Sequence, residues 1–119
     1  MTPLRSCKEY LQDILDAVAS ARRFTTGMTY EQFVHDEKTR YAVVHALEMI
    51  GEAATRIPQP LKDAYPQVPW SQMMATRNRL IHGYWAVDSE VVWDTVFEDL
   101  PPLEPLIRRV LEQVSAGSD

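Results

Sequence analysis

Apolar residues in this chain recur at intervals of three and four, and nowhere do they alternate with period two for long enough to make a strand. Leu4, Cys7, Leu11, Ile14, Leu15 and Val18 set the pattern, and Thr2-Pro3 supplies a cap followed by proline at the first helical position. That helix should end near Phe24, before Thr25-Thr26-Gly27. Thr29-Tyr-Glu-Gln32 reads as a capping box opening a short turn around Phe33. Asp36 then caps a long helix through Tyr41, Val44, Leu47, Glu48, Ile50 and Ala54 to about Arg56, where Pro58 and Pro60 stop it. Residues 60–65 have room for one or two turns.

Pro69-Trp70-Ser71 begins a further helix carrying Met73, Met74, Arg77, Leu80 and Ile81, and Gly83 is placed to end it just after His82. Asp88 is the expected cap of a segment through Val91, Val92, Val96 and Phe97. Asp99-Leu-Pro101-Pro102 predicts a break, and a last helix follows from about Leu103 to Val114. The fold class is therefore all-α, an up-and-down helical bundle of two long antiparallel helices followed by shorter ones.

A length of 119 residues with 45% hydrophobic content suits one domain over 1–119, with residues 115–119 as a flexible tail. The net charge of −5 excludes a protein that coats nucleic acid by bulk electrostatics. Any RNA contact must come from a local patch, for which Lys38, Arg40 and Arg79 are candidates. Arg22-Arg23 and Arg108-Arg109 end helices, where cations oppose the helix dipole. The single cysteine, Cys7, has no disulfide partner within the chain and reads as a buried, inert thiol. No secretory signal and no membrane-length apolar run are seen, so the expected location is the cytoplasm. His35 and His45 are two scattered histidines without a cysteine partner, so no metal site is expected. His45, beside Val44 and Leu47, reads as structural.

The segment richest in chemistry is Arg77-Asn-Arg-Leu-Ile-His82-Gly-Tyr84. Its imidazole can move a proton near neutral pH, and its guanidinium can hold a phosphate or stabilise the charge that grows on one. No carboxylate lies within it, which suits cleavage of RNA by the ribose 2′-hydroxyl without a metal. At about 100° per residue, Arg77 and His82 lie about 140° apart around an ideal helix, whereas Asn78 and His82 share a face. Three arrangements join Arg77 to His82: a helix that loosens at Gly83, an arginine stem that curls round, or a site assembled from two copies. The plain alternative is that these cations only oppose the helix dipole.

The segment resembles the signature of the HEPN superfamily, an arginine followed by a polar residue with a histidine four to six positions on. More closely, Arg77-x-x-x-x-His82-x-Tyr84 is similar to the HepT family, the toxin half of HepT–MntA (type VII) toxin–antitoxin pairs. His45-Ala-Leu-Glu-Met-Ile-Gly51-Glu52-Ala-Ala54 looks like that family's long second helix, and Pro69-Trp70 and Tyr84-Trp85-x-Val87-Asp88 with Val92-Trp93 fit its flanks.

The resemblance implies a homodimeric, cofactor-free endoribonuclease whose two motif copies face each other across a cleft. It implies His82 as general base or acid, Arg77 as stabiliser of the phosphorane, and Asn78 as the group that orients phosphate or imidazole, leaving a 2′,3′-cyclic phosphate. It further implies a partner, a MntA-like nucleotidyltransferase antitoxin that transfers AMP to Tyr84 and silences the enzyme by bulk and charge.

Glu52 is either a solvated residue or a supporting one that enters the core side and pairs with Arg77 or Arg56. Trp70, Trp85 and Trp93 read as core or interface anchors. Two other functions stay open: a non-catalytic dimeric module that partners a nucleotidyltransferase, and a purely structural bundle.

Overall fold

The computed structural model describes residues 6–82 and 88–117. Seven α-helices follow in chain order: α1 (Cys7–Phe24), α2 (Tyr30–Val34), α3 (Glu37–Arg56), α4 (Gln59–Ala64), α5 (Trp70–Ile81), α6 (Ser89–Asp94) and α7 (Leu100–Gly117). A π-helical turn, Thr95–Asp99, joins α6 to α7. There are no strands among the described residues, and the chain is an all-α bundle.

The caps explain where the helices start. Ser6 opens α1 through a reciprocal capping box with Glu9, so the start is Cys7; the expected Thr2-Pro3 cap lies outside the described residues. Cys7, on the first turn, is half-buried rather than fully enclosed. Thr29 and Gln32 form the capping box of α2 as the sequence suggests. The Asp36 carboxylate accepts the backbone N–H of Thr39 at 3.0 Å to start α3. That hydrogen bond favours the charged form and holds Asp36 below the usual carboxylate range. Between α1 and α2 the chain turns at Gly27, whose φ of +77° suits a residue without a Cβ. The buried Thr25 hydroxyl donates to the carbonyls of Ala21 and Arg22, satisfying the end of α1.

Packing follows the apolar stripes. α1 buries Leu11, Ile14, Leu15, Val18 and Ala21 against the Val43, Val44, Leu47, Ile50 and Ala54 side of α3. α7 closes on α1 with Leu103, Ile107 and Val110, and α5 leans on α3 through Trp70, Met73 and Leu80. Each large side chain buried in this way contributes roughly 1.5–3 kcal/mol. Arg22 of α1 ties to Glu104 of α7 at 2.7 Å, and Glu104 also holds Arg108 at 3.2 Å.

The expected break at Asp99-Leu-Pro101-Pro102 does not occur. Residues 89–117 form one helical run whose register widens at Thr95–Asp99. The Leu100 N–H reaches back five residues to the Thr95 carbonyl, and the next two residues, both proline, have no N–H to offer. A π turn absorbs the missing donors and makes room for the rings, where an α turn would clash. α7 then continues through residues 115–117, three beyond the expected end, with Pro105 inside it.

Candidate functional site: an arginine held across two helices

α3 and α5 approach each other unusually closely, and Gly51 is the reason. A Cβ at Gly51 would stand 2.2 Å from Arg77 Cβ and 2.8 Å from the Met73 carbonyl oxygen. The stem of Arg77 therefore lies directly on the α3 backbone. From there its guanidinium reaches Glu52, with Nη2 2.8 Å from Oε1. The other carboxylate oxygen of Glu52 takes Arg56, at 3.0 Å from Nε and 2.9 Å from Nη2. Arg77 Nη1 also donates to Asn78 Oδ1 at 3.3 Å.

Glu52 thus pairs with both arginines that the sequence offered it. It does so from an open position, however, with 41% of its side chain exposed, and not from the core. A pair this wet contributes little to stability. What it provides is direction: a bridging carboxylate with a fixed arginine on each oxygen.

These groups border a cleft of about 580 Å³. Tyr10 and Asp13 line it from α1, His45, Glu48, Met49, Glu52 and Arg56 from α3, and Arg77 and Ile81 from α5. Arg77 and Ile81, four apart, share the face of α5 that points into it. His82 is not among the lining residues. It is the C-cap of α5 (φ −84°, ψ 9°), exposed, and makes no hydrogen bond to Arg77 or Asn78 among the described residues. Within one chain the structure brings Arg77, Asn78 and Glu52 together and leaves His82 one residue beyond the cleft wall.

Gly83, Tyr84 and Trp85 lie outside the described residues. The segment that carries them is flanked by an ion pair, Arg79 Nη2 to Asp88 Oδ2 at 3.8 Å. Asp88 is the N-cap residue of α6, yet its side chain makes no capping hydrogen bond and serves this pair instead. The proposed basic rim is correspondingly thin. Arg79 is engaged, Arg40 donates Nη1 to the Val34 carbonyl, and Lys38 remains an exposed cation on α3. Trp70 is a core anchor with its indole N–H on the Tyr65 carbonyl at 3.1 Å, and Trp93 packs among Tyr30, Phe33 and Phe97. Among the described residues no three of His, Cys, Asp and Glu stand together as a metal-ligand set, and no helix is long and apolar enough to cross a membrane.

Two features of the site were not anticipated as functional: the role of Gly51 and the presence of His45 in the cleft. Gly51 did leave a signal. A glycine inside a strong helix costs about 1 kcal/mol relative to alanine, so it is expected where another backbone comes close. His45 left one too, since its spacing of seven from Glu52 and eleven from Arg56 puts all three on one helix face.

The model of the family described as "HepT-like: Ribonuclease HepT-like" matches residues 14–110. A protein of Thermococcus cleftensis named "Probable ribonuclease HepT" is 46% identical over 100 residues, covering 84% of this chain and 91% of its own. "Putative RNase MJ1216" of Methanocaldococcus jannaschii is 35% identical over 117 residues, covering 98% and 96%. "Putative RNase TTE0752" of Caldanaerobacter subterraneus is 30% identical over 110 residues, covering 92% and 98%. No solved structure gives a significant match. With the match spanning α1 into α7 and containing the whole Arg77–Tyr84 segment, the chain belongs to the ribonuclease HepT-like family.

Proposed function

We propose that this protein is a metal-independent endoribonuclease, the toxin of a HepT–MntA-like toxin–antitoxin pair acting in the cytoplasm. The observation that carries the reading is Arg77, presented by Gly51 and Glu52 into an open cleft in a chain whose relatives carry ribonuclease names. An RNA phosphate has the charge and the oxygens to take Arg77 from Glu52, which keeps Arg56 when it lets go.

In the reaction the ribose 2′-oxygen bonds to phosphorus and the P–O5′ bond breaks. His82 exchanges the proton, Arg77 stabilises the charge on the phosphorane, and Asn78 orients the phosphate. The products are a 2′,3′-cyclic phosphate and a 5′-hydroxyl.

The site works as a homodimer in this reading. Tyr41, Met49 and Ile81, 53%, 42% and 50% exposed, are large apolar side chains left in solvent on α3 and at the end of α5, and a second copy would cover them. Assembly also supplies a route by which His82, outside the cleft of its own chain, faces Arg77 of another. The nucleotidyltransferase partner would add AMP to Tyr84, placing bulk and negative charge two residues from His82.

The test is digestion of total RNA in excess EDTA by wild type and His82→Ala, each shown by intact mass to lack AMP. Cleavage by wild type alone, with cyclic phosphate ends, is the expected result. No cleavage by either protein refutes the reading and favours a non-catalytic module.

A further inference from the structure

We propose that His45 is the general acid of this cleavage, protonating the 5′-oxygen as it leaves while His82 takes the proton from the 2′-hydroxyl. The inference rests on the ribonuclease reading and adds a residue to it. Cleavage by an internal hydroxyl moves two protons: one off O2′ and one onto O5′. Arg77 cannot perform either transfer, because a guanidinium keeps its proton.

Among the described residues that line the cleft with Arg77, one carries an imidazole, and it is His45. The other lining side chains are carboxylates, arginines, a phenol, a thioether and two hydrocarbons. Imidazole is the one type there that exchanges a proton readily near neutral pH. His45 lies on the same face of α3 as Met49, Glu52 and Arg56, and all four border the cleft. Seven residues separate it from Glu52, two turns or about 10 Å along the axis. A phosphate drawn by Arg77 away from Glu52, over Met49, would lie between the guanidinium and the imidazole, so that its leaving oxygen meets His45. The imidazole is exposed and makes no hydrogen bond among the described residues.

The step balances within the substrate. The O2′–P bond forms, the P–O5′ bond breaks, the 2′-hydroxyl proton goes to His82, and the His45 imidazolium gives its proton to O5′. Net, one proton moves from O2′ to O5′, and the two imidazoles return to their starting states by exchange with water.

The experiment compares an RNA oligonucleotide bearing one ordinary 5′-oxygen linkage with the same oligonucleotide bearing a bridging 5′-sulfur. A thiolate leaves without a proton, so the sulfur substrate has no need of an acid. His45→Ala should lose about 10²- to 10⁴-fold on the oxygen substrate and return to within about 10-fold of wild type on the sulfur one. His82→Ala should be slow on both. His45→Gln is the second variant, and because the side chain is exposed, both should melt as wild type does. Wild-type rates for His45→Ala on oxygen, or equal losses on oxygen and sulfur, overturn the assignment while leaving the ribonuclease standing. A wild type that cleaves neither substrate overturns the ribonuclease reading and this one with it.

Discussion

Replacing Gly51 with alanine separates helix propensity from helix contact, because the two push in opposite directions. On an exposed helix the change stabilises by about 1 kcal/mol. At Gly51 the new methyl would sit 2.2 Å from Arg77 Cβ and 2.8 Å from the Met73 carbonyl oxygen. Carbon atoms rest at roughly 3.5–4.0 Å, so relief requires α5 to retreat by more than about 1 Å. Neither obstacle is the tip of a flexible chain: one is backbone, the other is fixed to it. Retreat loosens the buried Met73, Leu80 and Trp70. Overpacking of this kind costs about 1–3 kcal/mol, and with rigid obstacles the upper end applies. The net is a destabilisation of about 1–2 kcal/mol after the propensity gain. At about 4 °C per kcal/mol for a chain this size, the melting temperature should fall about 4–8 °C in a circular dichroism melt. RNA cleavage should fall further than the stability loss explains, by at least about 10-fold, because Arg77 moves with α5. A melting temperature that rises by the propensity increment, with cleavage unchanged, would refute the close approach and the role given to Gly51.

Glu52→Gln keeps the shape but removes the charge that holds Arg77 and Arg56. Stability should change by less than about 1 kcal/mol, since the pairs are wet. The Arg77 guanidinium resonances should broaden or shift by NMR; an unchanged spectrum argues that Glu52 does not fix it. Asp99, exposed to solvent but beside Asp94, has its carboxyl raised above the usual range, first by partial loss of hydration and then by the Asp94 charge. A raised carboxyl opposes folding when ionised and stops doing so as pH falls below its unfolded value. Asp99→Asn, which keeps an acceptor for the Gln72 amide, should therefore melt slightly higher at pH 7, and the gain should vanish near pH 3. A gain that persists at low pH contradicts the electrostatic cause. Asp36 has the opposite sign: its depressed carboxyl adds stability above its unfolded value, and Asp36→Ala should lower the melt at pH 7 while losing that effect in acid. Tyr84→Phe should leave an active nuclease that the nucleotidyltransferase no longer silences; AMP still found on the variant by mass would place the modification elsewhere.

The fold was legible wherever a local rule decided the outcome. Thr29 with Gln32, a reciprocal pair, and Asp36 accepting from Thr39 are contacts within one turn, so sequence spacing is enough to find them. The stripe on α3 was equally plain, because three-and-four spacing fixes one face. At Pro101-Pro102 the local rule and the tertiary packing pull apart. Two prolines do forbid an α turn there, but the chain widened into a π turn and continued, a choice made by the burial of Val96, Leu100 and Leu103 on one continuous face. Likewise Asp88 has the chemistry of a cap, and a nearby Arg79 claimed it. The sequence contains both outcomes, and tertiary contacts select one.

The candidate site divides along the same line. Arg77, Asn78 and His82 are adjacent in sequence and were visible as a string, yet Arg77 and His82 point apart, as an ideal helix requires of residues five apart. What gives Arg77 a defined position is α3, more than twenty residues earlier, through two consecutive residues of opposite kind. Gly51 removes a side chain so that the arginine stem can lie on the backbone, and Glu52 then offers a carboxylate to the guanidinium that arrives. Neither works without the other: a nearer helix without Glu52 leaves Arg77 free to swing, and Glu52 without Gly51 holds α5 too far for a 2.8 Å pair. Their effects on cleavage should consequently be non-additive in a double-mutant cycle, as for residues acting through one shared contact. A sum equal to the two single losses would show that Gly51 and Glu52 act on Arg77 independently, and the site would then need another account of how its arginine is aimed.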